Sequence, residues 1–262
     1  MSSYQKPKVW VSPDPENQIT GNRSTAGARF SQSLPKRNSP YQVYSLPTPN
    51  GQKVTVLLEE LKALGLEGVD YDLFKIDITK GDQFGSDFVA FNPNSKIPLV
   101  IDMRVGDGLV LFESGSILLY LAEKHQAFIP KDPVARAQCL NWVFWQMGAG
   151  PFLGGGFGHF FTYAPEALEY PINRFSMEAK RQLDLLDKHL ATHTYMVGDD
   201  YTIADMMIWP WYGRLAFDQL YPGAHTFLGL SDYKHLKRWA DQVYQRPGLQ
   251  KGLSVDYQSI DQ

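Results

Sequence analysis

Three short stretches in the first half of the chain carry residue types suited to gripping a small polar ligand. The first, Leu46-Pro47-Thr48-Pro49-Asn50-Gly51, joins an alternating run, Tyr41 to Ser45, to a stretch with helical apolar spacing. A strand–turn–helix junction aims free backbone N–H groups at whatever lies above it. This turn holds no Cys, His or acid; it offers the Thr48 hydroxyl and the Asn50 amide, and Gly51 gives it freedom to enter the helix. The second stretch, Asn92-Pro93-Asn94-Ser95-Lys96-Ile97-Pro98, puts a proline directly before a strand. If the Ile97–Pro98 bond is cis, the Ile97 N–H and C=O are exposed and can pair with a peptide-like ligand as an added strand would; an ordinary loop is the plainer alternative. In the third, Phe112-Glu113-Ser114-Gly115-Ser116, the Ser114 hydroxyl and the first helical N–H groups suit a carboxylate, and Glu113 suits an ammonium. Together they fit the end of an amino acid that carries both charges. An N-cap beside a surface glutamate is the alternative.

The elements that must position these stretches follow from periodicity. Tyr41–Ser45 alternates as a strand, and Val54, Leu57, Leu58, Leu61 and Leu64 mark a helix over 52–64, stopped by Gly65. Tyr71–Ile78 alternates again, and the polar segment Thr79–Phe91 leaves room for one short helix. Leu99–Met103 and Leu109–Phe112 form a hairpin, and Ser114–His125 is a helix. The order is βαβαββα, with a parallel first pair and an antiparallel second half. Beyond a proline-bearing linker, Phe128–Pro133, the pattern is helical only: Ala135–Gln146, Ala167–Ala191, Ile203–Phe217 and Tyr233–Gln245, the last ended by Pro247. Thr202-Ile203-Ala204-Asp205 has the form of a capping box with Asp in place of Glu, and is read as structural. The chain therefore divides into an extended arm (1–38), an α/β domain (39–126) and an all-α domain (133–252). Trp10 and Phe30 are the candidate anchors of the arm.

Composition bounds the function. The 262 residues carry a net charge of −3, which gives no electrostatic footprint for nucleic acid or an anionic membrane. No apolar run approaches the ~20 residues of a membrane span, and the first residues lack the apolar stretch of a signal peptide. One cysteine, Cys139, excludes an intramolecular disulfide framework and any CxxC, so a reducing cytoplasm is expected.

In this order and spacing the motifs resemble one family. A βαβαββα domain with a proline before its third strand, then "ESGSILLYLAEK", a proline-bearing linker and "YTIADMMIWPW" look like a cytosolic glutathione transferase, and the likeness covers nearly all of the chain after residue 40. "TPNGQKV", "NPNSKIP", "PFLGGGFGHF" and "INRF" look like its bacterial nu class, whose members act mainly as glutathione-dependent disulfide reductases. The resemblance implies a thioredoxin-like first domain followed by a helical bundle, a homodimer, and glutathione as bound co-substrate with no metal. Weak transferase or peroxidase activity is implied alongside. It places Thr48 and Asn50 at the glutathione sulfur. Gln83, with Lys96, Ile97 and Pro98, holds the middle of the tripeptide, and Glu113 and Ser114 hold its γ-glutamyl end. Arg174 stands near a second glutathione, and Asn22 reaches over the site from the arm.

Elementary chemistry supports the carry-over. A thioredoxin-type enzyme places CxxC at the turn after its first strand, whereas this turn has no sulfur, so the ligand must bring it. A thiol at a helix N-terminus feels the positive end of the dipole, and donors around it favour the thiolate that exchange requires. The alternatives are a transferase conjugating apolar electrophiles, with Tyr44 or Ser45 activating the thiol, and a non-enzymatic binding module of the same fold. Cys139 reads as a small buried hydrophobe, Gly154, Gly155, Gly156 and Gly158 as close-packing or cleft-wall residues, and His159 as a packed histidine. His189 and His193 lack a third metal ligand.

Overall fold

Period-two alternation in the first strand decides how the first domain is built. In the computed structural model, which describes residues 4–12 and 21–260, β1 (Tyr41–Ser45) lies inside a four-stranded sheet of order β2-β1-β3-β4. It pairs parallel with β2 (Tyr71–Lys75) and antiparallel with β3 (Leu99–Asp102), which pairs antiparallel with β4 (Leu109–Phe112). Tyr41 and Val43 point into the main core, under α1 (Pro49–Ala63) and α3 (Ser114–His125). Tyr44 points to the opposite face and joins a smaller core with Leu34, Phe74, Phe88, Leu99 and Ile101 under α2 (Ser86–Phe91). The fold is the expected combination of a thioredoxin-like α/β domain and an all-helical domain.

β2 ends earlier than its alternation predicts. Asp77 accepts from the backbone N–H of Thr79 at 3.1 Å, an Asx turn that bends the chain away from the sheet, although Ile76 is still buried. The free edge of β2 is covered by the last described residues: Lys75 N–H donates to the Gln258 carbonyl at 2.8 Å, and Gln258 N–H donates to that of Leu73 at 2.9 Å. The arm lies extended along α2, with Arg29 N–H on the Phe84 carbonyl and Leu34 N–H on the Asp87 carboxylate. Its anchors differ from those expected. Trp10 and Phe30 are exposed, and Leu34 is the buried side chain. Parts of the arm, 1–3 and 13–20, lie outside the described residues.

Asp132 caps α4 (Pro133–Pro151), accepting from Val134 N–H and Ala135 N–H. The helix then widens into π-helical turns over Phe152–Tyr163, longer than the sequence pattern indicates. Side chains at Gly154, Gly156 and Gly158 would run into the rings of Trp211, Phe175 and Tyr221, so these glycines are close-packing residues, as expected. α5 (Glu169–Leu190) packs on this segment. The apolar stretch after Thr202 is not one helix. α6 (Ile203–Ile208) passes through π-helical Trp209–Gly213 into α7 (Arg214–Ala216), because Pro210 has no N–H to give the regular ladder. The capping box is formed, and Asp205 also accepts from Met196 N–H and from the Trp239 indole at 2.8 Å.

After the short α8 (Ala224–Phe227), α9 (Lys234–Tyr244) is followed by a helix that the sequence reading stopped short of, α10 (Pro247–Leu253). Pro247 opens it rather than ending its predecessor, since its missing N–H costs nothing at a first turn. α10 lies against α1 at backbone distance. A Cβ on Gly252 would stand 2.5 Å from the Val56 Cα, and Thr55 donates to the Gly252 carbonyl at 2.7 Å. Arg246 grips buried Glu60 with two bonds, at 2.8 and 2.9 Å. One helix, α1, thus fastens the helical domain and also opens at the functional turn.

Candidate functional site

Thr48 is the N-cap of α1, and its bonds decide which donors remain for a ligand. Its Oγ1 accepts from Gly51 N–H at 3.3 Å, and its own N–H donates to the Leu46 carbonyl at 2.7 Å. Pro49 has no N–H. The free donors of the turn are therefore the Thr48 hydroxyl hydrogen, the backbone N–H of Asn50 and the Asn50 side-chain amide. Gly51 is required for a different reason from the one expected. It lies inside α1 without a positive φ, and a Cβ there would stand 2.0 Å from the Leu46 carbonyl oxygen.

Asn50 is held in one orientation. Its Oδ1 accepts from the Lys53 ammonium at 2.8 Å and from the Trp211 indole N–H at 3.0 Å. Both partners only donate, so the carbonyl is fixed on them and the NH₂ group is left for the cleft. Lys53, 1% exposed, also donates to Ser114 Oγ at 3.2 Å and to Gln146 Oε1 at 2.6 Å. Burial pushes its pKa down to about 7, against the pull of Glu113, which favours the charged form.

The other two stretches converge on the same cleft, a cavity of about 570 Å³. The Ile97–Pro98 bond is cis. Asn92, buried, braces the loop by donating to the Lys96 carbonyl at 2.6 Å and accepting from Asn94 N–H. Ile97 N–H and C=O have no backbone partner among the described residues. Glu113 adopts φ +67°, a costly backbone region for a side chain with a Cβ, and occupies the N-cap position of α3 that was expected of Ser114. No side chain caps α3, so its first N–H groups stay available beside the Ser114 hydroxyl. Gln83 is 5% exposed, and its Oε1 is buried at the cleft wall without a partner among the described residues.

Thr48, Asn50, Gln83, Lys96, Ile97, Pro98, Glu113 and Ser114 thus line one cavity. Asn22 reaches its rim by accepting from the Lys96 ammonium at 3.0 Å. Arg174 is exposed on α5 and does not line the cavity. Lys53, Gln146, Met147, Trp211 and Tyr221 line it and were not found from sequence. The one signal was Lys53 itself, three residues after Asn50 in a helix face otherwise buried.

Tyr44 stands elsewhere. Fully buried, it stacks on Phe74 and donates to the Pro35 carbonyl at 2.7 Å, and burial pushes its pKa up. Ser45 is buried beneath the turn, outside the cavity lining. His159 packs edge-on against Phe160. Cys139 is buried, which raises its pKa. His189 and His193 stack on each other, and among the described residues no group of three or more acidic, His or Cys side chains could hold a metal ion.

A thioredoxin-like domain whose sulfur-free turn faces a cis-proline loop, joined to a helical domain that completes the cleft, defines a class, and the comparisons agree. Residues 39–123 match the family model for the glutathione S-transferase N-terminal domain, and 170–242 match that for the C-terminal domain. The chain belongs to the glutathione transferase family. It is 52% identical to the disulfide-bond oxidoreductase YghU of Escherichia coli strain K12, over 97% of this chain and 89% of that one. The crystal structure of glutathione transferase YghU from Streptococcus pneumoniae, complexed with glutathione, is 58% identical, superposes with a TM-score of 0.96 and is matched over 99% of this chain and 100% of that one. A glutathione transferase from Pseudomonas putida with one glutathione disulfide bound per subunit is 38% identical, with a TM-score of 0.76 over 84% of this chain and 94% of that one.

Proposed function

We propose that the protein is a glutathione-dependent disulfide reductase that works through a bound glutathione thiolate. The observation that carries this reading is the turn itself. It has no sulfur, yet its donors are the Thr48 hydroxyl and an Asn50 amide whose carbonyl is locked by Lys53 and Trp211. These donors and the N-terminal end of α1 stabilise S⁻. The thiolate attacks one sulfur of a small disulfide, forms a mixed disulfide and releases the other half as a thiolate. A second glutathione attacks the glutathione sulfur of that intermediate, giving glutathione disulfide and freeing the second thiol.

Ile97 would pair with the cysteinyl unit by strand addition, with Lys96, Pro98 and Gln83 around it. Glu113, Ser114 and the uncapped turn of α3 would hold the γ-glutamyl ammonium and carboxylate. A second tripeptide, or the far half of glutathione disulfide, would lie toward the mouth, with Arg174 offsetting a carboxylate and Asn22 closing the rim. The relative from Pseudomonas putida holds one glutathione disulfide per subunit, which supports room for both halves. We assign the protein to the nu class on its motifs and to the cytoplasm on its single buried cysteine. Exposed Phe112 and Phe144 suit the family's homodimer. No helix among the described residues is long and apolar enough to cross a membrane, and the net charge argues against a nucleic-acid partner.

The test is coupled turnover: purified protein is expected to reduce hydroxyethyl disulfide with glutathione, and no turnover refutes the proposal. The apolar cleft wall of Met147, Trp211 and Tyr221 favours a second reading, conjugation of apolar electrophiles. High rates with a chlorodinitrobenzene-type acceptor and little disulfide turnover would select it.

A further inference from the structure

We propose that Lys53 is the cation of the cleft: its buried amine positions the Asn50 amide and the Ser114 hydroxyl, and its charged form supplies the charge that a glutathione thiolate needs opposite it. The inference rests on the glutathione reading above and deepens it.

Lys53 projects from the first turns of α1, three residues after Asn50. Its three acceptors, Asn50 Oδ1, Ser114 Oγ and Gln146 Oε1, stand at 2.8, 3.2 and 2.6 Å, and all three are neutral. The hydrogen bonds are satisfied, but the charge is not cancelled by anything the ammonium touches. A buried charge in that condition is costly and is relieved by an anion arriving beside it. The ionisable group felt at the ammonium is Glu113, before α3; Gln146 and Met147, presented by α4, are neutral. Burial brings the lysine pKa down to about 7, so the ammonium is only partly charged at neutral pH until a thiolate settles beside it and draws the proton back on.

Two of the acceptors belong to opposite ends of the ligand. Asn50 faces the sulfur and Ser114 the γ-glutamyl group, so one ammonium sets the spacing between them. The third acceptor, Gln146, comes from α4, so the helical domain holds the lysine in place. The positive end of α1 and the ammonium add their fields at the same spot, and an opposite charge this close favours ionisation of a thiol. Lys53 is thus a positioning residue for Asn50 and Ser114 and a field source for the sulfur.

The test uses Lys53→Met, which keeps length and apolar volume, and Gln146→Glu, which keeps Lys53 but sets an anion against it. For the intact protein saturated with glutathione, the ultraviolet absorbance of the thiolate is followed against pH. Calorimetry with S-methylglutathione, which has no thiol to ionise, reports binding alone. In Lys53→Met the thiolate midpoint is expected to rise by about one pH unit or more, with roughly a tenfold loss of kcat at neutral pH. S-methylglutathione, which feels only the loosened Ser114, should lose clearly less affinity than the roughly tenfold loss of kcat. Gln146→Glu should raise the midpoint in the same direction; it decides the matter if Lys53→Met does not fold. An unchanged midpoint in the folded variants overturns the proposal. So does a loss of S-methylglutathione binding as large as the loss of turnover, which would make Lys53 a packing residue only. A wild-type protein that binds no glutathione overturns the functional reading itself, and this inference with it.

Discussion

Trp211, carried by the helical domain, donates its indole N–H to the side-chain carbonyl of Asn50 at 3.0 Å, across the domain boundary. The second domain therefore orients a group on the first. Trp211→Phe removes the donor and, with it, the outer indole ring that packs over Gly154. One lost hydrogen bond is worth about 1 kcal/mol, so kcat/KM for disulfide reduction should fall at least roughly fivefold, and the lost ring packing should lower the melting temperature as well. Steady-state kinetics and a thermal melt on the same preparation check both halves.

Asn50→Ala should lower kcat/KM by at least about tenfold, because the hydrogen bond removed is made to a charged sulfur. Thr48→Ala should cost activity and, by uncapping α1, about 1 kcal/mol of stability. Tyr44→Phe should leave turnover unchanged. Its hydroxyl serves the Pro35 carbonyl, so the loss appears in the melt instead, at about 1 kcal/mol. A dead Tyr44→Phe enzyme would contradict the geometry.

The buried Asp102 carboxylate, at the end of β3, sets an acid limit. Burial alone would raise its pKa, but hydrogen bonds from Lys124 and Arg104, with one from Tyr120, bring it down to about 2. A carboxyl whose folded pKa is depressed contributes stability above its unfolded value, near 3.9, and loses it as pH falls toward the folded one. Asp102→Asn should therefore be markedly less stable than wild type at neutral pH, and the gap should shrink by about 2 kcal/mol on acidification through that window. Denaturant melts of both proteins at a series of pH values measure it.

Gly252 presses on the backbone of α1, with 2.5 Å between its ideal Cβ position and the Val56 Cα. No side-chain rotation can relieve that contact. Gly252→Ala should cost about 1–3 kcal/mol by prising α10 from α1. Glutathione affinity should fall with it, since α1 carries the binding turn; a thermal shift with and without ligand separates the two effects.

The strands were legible because Tyr41, Val43 and Tyr44 sort cleanly between two cores, and period two survives burial on both faces. The three ligand stretches were legible because turn residues at helix entrances have few other uses. Lys53, Gln146 and Trp211 were not, since they sit inside helices whose patterns read as packing, and their roles arise from contacts as distant as 161 residues. The π-helical turns at Phe152–Tyr163 and Trp209–Gly213 escaped for a related reason. Rings from other elements fill the space above Gly154, Gly156 and Gly158, and Trp209 of the same turn fills that above Gly213, contacts that the apolar pattern does not record.

Gln258 occupies the hydrogen-bonding groups of Leu73 and Lys75 that a neighbouring strand would otherwise seek. That side of the sheet is closed to recruitment by another polypeptide. Backbone-templated growth, the route by which sheet proteins polymerise, is left to the β4 side. Cutting away the last few residues would leave the cleft lining in place, yet it would bare a second docking ledge beside that of β4.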